Sequence, residues 1–145
     1  MCLYTTSKKV QVAKEDIVCY KVMIEYSGVK YVWMSPYKGM AYEEGHNYEL
    51  ERQLQLLDAS KTISYPYIVE EGFHSFANLS DALSFRNVFM ARFPQLGARQ
   101  YTYVIVKCII PEGTAYVEGL FIDWGNKFPS FCSEKIICED KIENE

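Results

Sequence analysis

The stretch NLSDALSFRNVFMARFPQLGARQYTYVIVKCIIP, Asn78 to Pro111, decides the fold class because it switches from a helical to an extended pattern. Leu79, Ala82, Leu83, Phe85, Phe89, Met90 and Phe93 fall at helical spacing and make one apolar face. Asn78 is a good N-cap residue with Asp81 three positions on, and Pro94 and Gly97 mark the exit. This pattern predicts one long helix over about 78–93. From Gln100 to Pro111 the residues are β-branched, aromatic and almost continuously apolar, as in a strand covered on both faces.

Working outward, Ile17 to Tyr26, IVCYKVMIEY, is a second strong strand signal. Ser27-Gly28 and VKYVWM, Val29 to Met34, follow it as a hairpin would. Thr114–Ile122 and Glu134–Glu139 read as shorter strands. In Tyr48 to Leu57, YELERQLQLL, alternation favours a strand, although Leu50, Leu54 and Leu57 also fit a helical stripe. The expectation is a single α+β domain: a mostly antiparallel, curved sheet of five to seven strands with one long helix. A flexible N-terminus of about 1–14 and an acidic tail of about 139–145 flank it.

The chain has 145 residues, enough for one core. Its 49% hydrophobic and 23% charged composition is that of a folded domain, and no apolar run is long enough to cross a bilayer as a helix. Net charge is −4, and much of it lies at the C-terminal end in Glu134, Glu139, Asp140, Glu143 and Glu145. A nearly neutral body lacks the basic face that a phosphate backbone requires, so neither nucleic acid nor a membrane is expected as partner.

Five cysteines with no CxxC pair, and no apolar segment like a secretory leader, point to a reducing, cytoplasmic setting. Only two histidines, His46 and His74, are present, so no metal site is expected. Phosphate-binding glycine loops, HExxH and GxSxG are missing from the chain. From its own motifs the chain calls for no cofactor.

Two features remain. Glu70-Glu71-Gly72-Phe73-His74-Ser75-Phe76 precedes the helix, where Gly72 permits close approach and His74 and Ser75 would stand at a strand edge beside a cleft. His74 equally suits a single structural hydrogen bond. Secondly, Tyr26, Tyr31, Trp33, Tyr37, Tyr42, Tyr48, Tyr65 and Tyr67 crowd the first half, several next to Pro or Gly. Some of these must fill the core, and the remainder would line a groove for a protein or small molecule.

The order of VCYKV, an SPY loop, GFHSF, a helix with ALSF, YVIVKCIIPEGTAY and SEKIICED resembles the layout of ADP-ribosyltransferase-like domains. That resemblance implies an NAD-dependent transfer. Lys21 would stand where the family offers Arg or His, Ser75 or His74 where it offers a hydroxyl residue, and Glu134 at the late glutamate. Ala82 and Phe85 would occupy the helix pattern, with Tyr20, Gly72 and Phe85 against the cofactor. Lysine in place of arginine departs from the family, since it lacks the planar fork. The chain also resembles small proteins of Bacteroidetes and their phages that share EDI.CYKV, SPY, EGFHSF and CIIP.GT, a likeness that implies no particular activity. The expectation is an accessory or binding protein, with a degenerate or active transferase as the alternative.

Overall fold

The computed structural model describes residues 3–36, 40–58, 65–92 and 101–142. Its centre is a ladder between two ten-residue strands, β3 (Ile17–Tyr26) and β10 (Tyr101–Ile110), antiparallel from Ile17↔Ile110 to Tyr26↔Tyr101. Before β3 come β1 (Leu3–Thr5) and β2 (Gln11–Val12). After it come β4 (Val32–Met34), β5 (Ala41–Glu43), β6 (Asn47–Glu49), β7 (Leu57–Asp58), β8 (Tyr67–Val69) and β9 (Phe73–Phe76). The helix α1 (Leu79–Arg92) leads into β10, followed by β11 (Ala115–Asp123), β12 (Asn126–Ser133) and β13 (Lys135–Lys141). All thirteen strands join one sheet, ordered β6-β13-β10-β3-β9-β12-β11-β1-β8-β7, with β2 on β11 and β4 joining β3 to β5.

This corrects the expected architecture. In place of five to seven strands and one long helix, the described residues form a thirteen-stranded sheet with a single helix of 14 residues. The shortfall has a physical cause. Seven of the strands are two or three residues long, all of them before β9 and too short to display an alternation. The long β12, NKFPSFCS, is hidden by Pro129. Both polar groups of a strand residue point to one side, and Pro129 O accepts from Ala77 N, just beyond the end of β9. The missing N–H therefore faces the β9 side where that ladder has already ended, and the β11 ladder is unaffected.

Other expectations fare unevenly. The strands at 17–26 and 101–110 lie where the patterns place them, and the helix starts one residue after Asn78. The helix exit at Phe93, Pro94 and Gly97 lies outside the described residues. In Tyr48–Leu57 only the ends are strand. The N-terminal stretch, expected to be flexible, contributes β1, paired to β11 and β8 with Leu3 fully buried. Glu139 and Asp140, assigned to the tail, belong to β13.

The central ladder is covered on both faces. On one, α1 presses Phe85 and Phe89 against Phe76, Tyr103, Phe121 and Phe128, with Phe85 and Phe121 centroids 5.3 Å apart. On the other, Cys19, Met23, Val104, Val106, Cys108 and Ile110 pack with Trp33, Tyr42, Phe131, Ile136 and Cys138. This second face is enclosed by a ring. β3 carries β4 and β5, and a tight turn leads to β6 on β13, which returns through β10 to β3. The turn is sealed by Gly45 N donating to Cys138 O at 2.6 Å and Cys138 N donating to His46 O at 3.2 Å.

The end of α1 is tied to the β11–β12 hairpin. Arg92 makes two bonds to the Asp123 carboxylate, at 2.6 and 3.2 Å, while its guanidinium stacks 4.8 Å from the centroid of the 84% exposed Trp124. Trp124 and Gly125 both have positive φ, the geometry of a two-residue hairpin turn.

Gly119 in β11 leaves room for β1, since a Cβ there would stand 2.2 Å from Tyr4 O. Gly119→Ala should therefore displace β1 and cost about 3 kcal/mol, read by chemical denaturation. Hydrogen exchange should show protection lost first at Leu3–Thr5, and an unchanged midpoint would refute the contact.

Candidate functional site

β3 has two neighbours along its second edge. Tyr20 pairs with Phe76 of β9, and Ile24 pairs with Met34 of β4. Between them the sheet forks, so Lys21 and Val22 lack the ladder partners that Ser75 and His74 would supply in continued register. Into this gap Lys21 extends its side chain, and Nζ donates to His74 O at 2.5 Å. The ammonium also sits 5.2 Å from the Tyr42 ring centroid. Among the described residues Lys21 forms no ion pair with a carboxylate.

The fork holds a cavity with about 30 Å³ of room, lined by Lys21, Val22, Ser35, Ser75, Phe85 and Ser130, among others. Ser75 is 3% exposed and its hydroxyl has no well-formed hydrogen bond. A cavity of this size takes one or two waters, which would satisfy that hydroxyl. It cannot take a nucleotide, whose sites run to several hundred Å³.

The sequence-derived candidates divide as follows. Lys21, Ser75, Phe85 and part of His74 meet at this cavity. The His74 imidazole is engaged elsewhere: Nδ1 lies 3.2 Å from Gly72 O and 4.0 Å from Cys132 Sγ, and Nε2 lies 3.4 Å from Val69 O. GFHSF is not a free edge, because β9 runs between β3 and β12. Gly72 answers a packing need: a Cβ there would meet Cys132 Sγ at 2.3 Å and Leu54 Cδ2 at 2.8 Å. Tyr20 packs half-buried beneath the helix, and Phe85 belongs to the aromatic core. Glu134 lines none of the cavities described. Its carboxylate accepts from Leu54 N at 3.0 Å and its carbonyl from Leu50 N at 2.8 Å, pinning the irregular segment between β6 and β7. Lysine and serine are thus brought together without the glutamate.

Under Lys21 lies a row of thiols that spacing alone does not reveal. Cys19 pairs with Cys108 across β3 and β10, and Cys108 pairs with Cys138 across β10 and β13. All three are fully buried and free. Burial pushes the Cys19 thiol from 9.0 up to about 12, against smaller pulls from the Ser75 hydroxyl and the Lys21 charge. Tyr42 is raised as well, mainly by burial and then by the neighbouring Cys138 and Cys108. Among the described residues no group of three or more His, Cys, Asp or Glu is placed to hold a metal ion.

The roomiest cavity described, about 200 Å³, opens at one end of the ring, between the β3–β4 loop and β13. Its floor is Trp33, 1% exposed, whose indole donates to Glu25 Oε2 at 2.9 Å. Glu25 Oε1 in turn holds Lys141 Nζ at 2.9 Å. Tyr31 forms a wall, 60% exposed, with a left-handed φ of 66° that side-chain-bearing residues adopt at a cost. Its carbonyl accepts from Glu44 N at 2.8 Å, which holds the strained residue in place. Of the aromatic run singled out in the sequence, Trp33 and Tyr42 are core, Tyr26 and Tyr31 are exposed, and Tyr37 lies outside the described residues.

No known protein family, curated protein or solved structure matches the chain. No helix among the described residues is long and apolar enough to cross a membrane.

Two measurements test the fork. Lys21→Met keeps the aliphatic stem but strips His74 O of its donor, so stability should fall by about 1–3 kcal/mol; an unchanged denaturation midpoint would show the bond to be dispensable. The raised thiol also sets a pH dependence. With a folded value above the unfolded one, its contribution is intact below about pH 9 and is lost as pH climbs toward about 12. Stability should drop by up to about 1.4 kcal/mol per pH unit from this group across that window. Cys19→Val should flatten part of the decline in melting curves taken from pH 8 upward.

Proposed function

We propose that the protein is a binding module that receives a basic side chain of a protein partner in the cavity at the end of the ring. Tyr31 carries this reading. A tyrosine held in a strained backbone conformation with most of its ring in solvent costs stability, and such strain collects at ligand-binding positions. The cavity suits a cation: Glu25, Glu44 and Asp140 outnumber Lys30 and Lys141 on its walls, and Glu25 is already neutralised by Lys141. The aromatic face of Tyr31 adds cation–π attraction. The volume fits a side chain rather than a dinucleotide, and the chain's net charge of −4 favours a basic partner. The transferase alternative has less support, because Glu134 holds a loop and the cavity beside Lys21 is too small for NAD.

The test is a titration of isotope-labelled protein with doubly blocked arginine amide and, separately, with its glutamate counterpart. Arginine should shift the Trp33 indole and the Tyr31, Glu44 and Asp140 amides; glutamate should not. Tyr31→Gly separates binding from folding. It should abolish the shifts while leaving stability unchanged or raising it by about 1 kcal/mol, because glycine accepts this φ without strain. Equal shifts with both ligands, or none at millimolar concentration, would overturn the proposal. A melting point raised by NAD would favour the transferase instead.

A further inference from the structure

We infer that Cys108 and Cys138 form an oxidisable dithiol, a cross-strand pair that small peroxides convert to a disulfide. The two residues stand directly opposite in the β10–β13 ladder, beside a register shift at Lys107/Cys108, with Sγ atoms 3.8 Å apart. Directly opposed antiparallel residues have Cα separations of about 4.5–5.5 Å, inside the range a disulfide spans. The sulfurs need to close by less than 2 Å to bond, about the reach of side-chain torsions at a bulge. The single Cys108 thiol hydrogen has two acceptors in reach, Val106 O at 3.6 Å and Cys138 Sγ at 3.8 Å, and when turned to the sulfur it favours the Cys138 thiolate. Burial and the neighbouring thiols hold Cys108 well above the ordinary thiol range, while the bond from Cys108 draws Cys138 below it; Lys21, the nearby cation, adds a smaller downward pull on both. Lys21 also lines the fork cavity, but neither cysteine does and both are fully buried, so peroxide reaches the pair through local opening of the sheet.

The chemistry balances. The Cys138 thiolate attacks one peroxide oxygen, the O–O bond breaks, and hydroxide leaves and takes a proton, giving water and a Cys138 sulfenic acid. The Cys108 sulfur then attacks the Cys138 sulfur. The S–S bond forms, the S–O bond breaks, and the departing hydroxide takes the Cys108 proton as a second water. Two thiols are oxidised and one peroxide is reduced. Cys19 lies opposite Cys108 on its other side, but burial holds it as a thiol, so it is the poorer nucleophile.

The experiment treats the folded full-length chain with stoichiometric hydrogen peroxide and analyses it without reductant. The intact mass should fall by two hydrogens, titratable thiols should drop from five to three, and a peptide map should join the Cys108 and Cys138 segments. The oxidised protein should melt at a higher temperature, since the bond closes a loop of the unfolded chain. Cys138→Ser should abolish the mass change; Cys138→Ala serves the same purpose should the serine variant fail to melt cooperatively. A bond through Cys19 or Cys132, sulfinic acids without a disulfide, or five thiols persisting in the folded protein while the urea-unfolded chain oxidises, would each overturn the inference.

Discussion

The β3–β10 ladder is the constraint on which the rest of the molecule depends. Ten consecutive pairs put Cys19, Met23, Val104, Val106 and Cys108 on one side and Val22, Tyr103 and Ile105 on the other, so one pair of strands supplies the floor of two cores. Slipping the register by one residue would exchange the faces, sending Lys21 beneath the helix and Val22 into the ring. Alternation along ten residues makes that error expensive at every position at once. The helix, the ring of short strands and the thiol row all inherit their places from this pairing.

From it follow two unlike sites on one strand. Where β3 loses its ladder partner, Lys21 supplies the donor that a backbone N–H would otherwise provide, and its charge then acts on the thiols below. Four residues on, Glu25 faces the other end of the ring and holds Trp33 and Lys141 together, building the floor of the larger cavity. The fork is small, with room for water-sized molecules. The ring's end is broader, charged and walled by a strained aromatic residue. Mouths of such enclosed sheets are common places for ligands because several loops converge there without disturbing the ladders.

The candidate site was only partly legible. Lys21 and Ser75 are linked in the sequence only by what the family resemblance implies, and the fold places both at one cavity. Glu134 could not be placed, because a glutamate at a strand junction reads alike whether it faces a cleft or caps the backbone of a distant loop, here Leu54 across 80 residues. The strain at Tyr31 left no trace in the sequence either. Val29-Lys30-Tyr31 looks like the start of a strand, and only the delayed pairing of β4 at Ile24↔Met34 forces the loop through a left-handed residue.

The sequence by itself determined the elements whose signal is local and long: β3, β10 and the helix, each with enough residues for apolar spacing to define a face. It also determined a nearly neutral body with no helix-length apolar span. Tertiary structure alone decided the short strands, because two or three residues carry no periodicity and become strand only when a neighbour's unpaired edge captures them. It decided β12 as well, where the position of Ala77 makes a proline harmless. And it decided which polar side chains meet, since cross-strand neighbours such as Cys108 and Cys138 are set by register between segments 30 residues apart, a relation that local spacing does not encode.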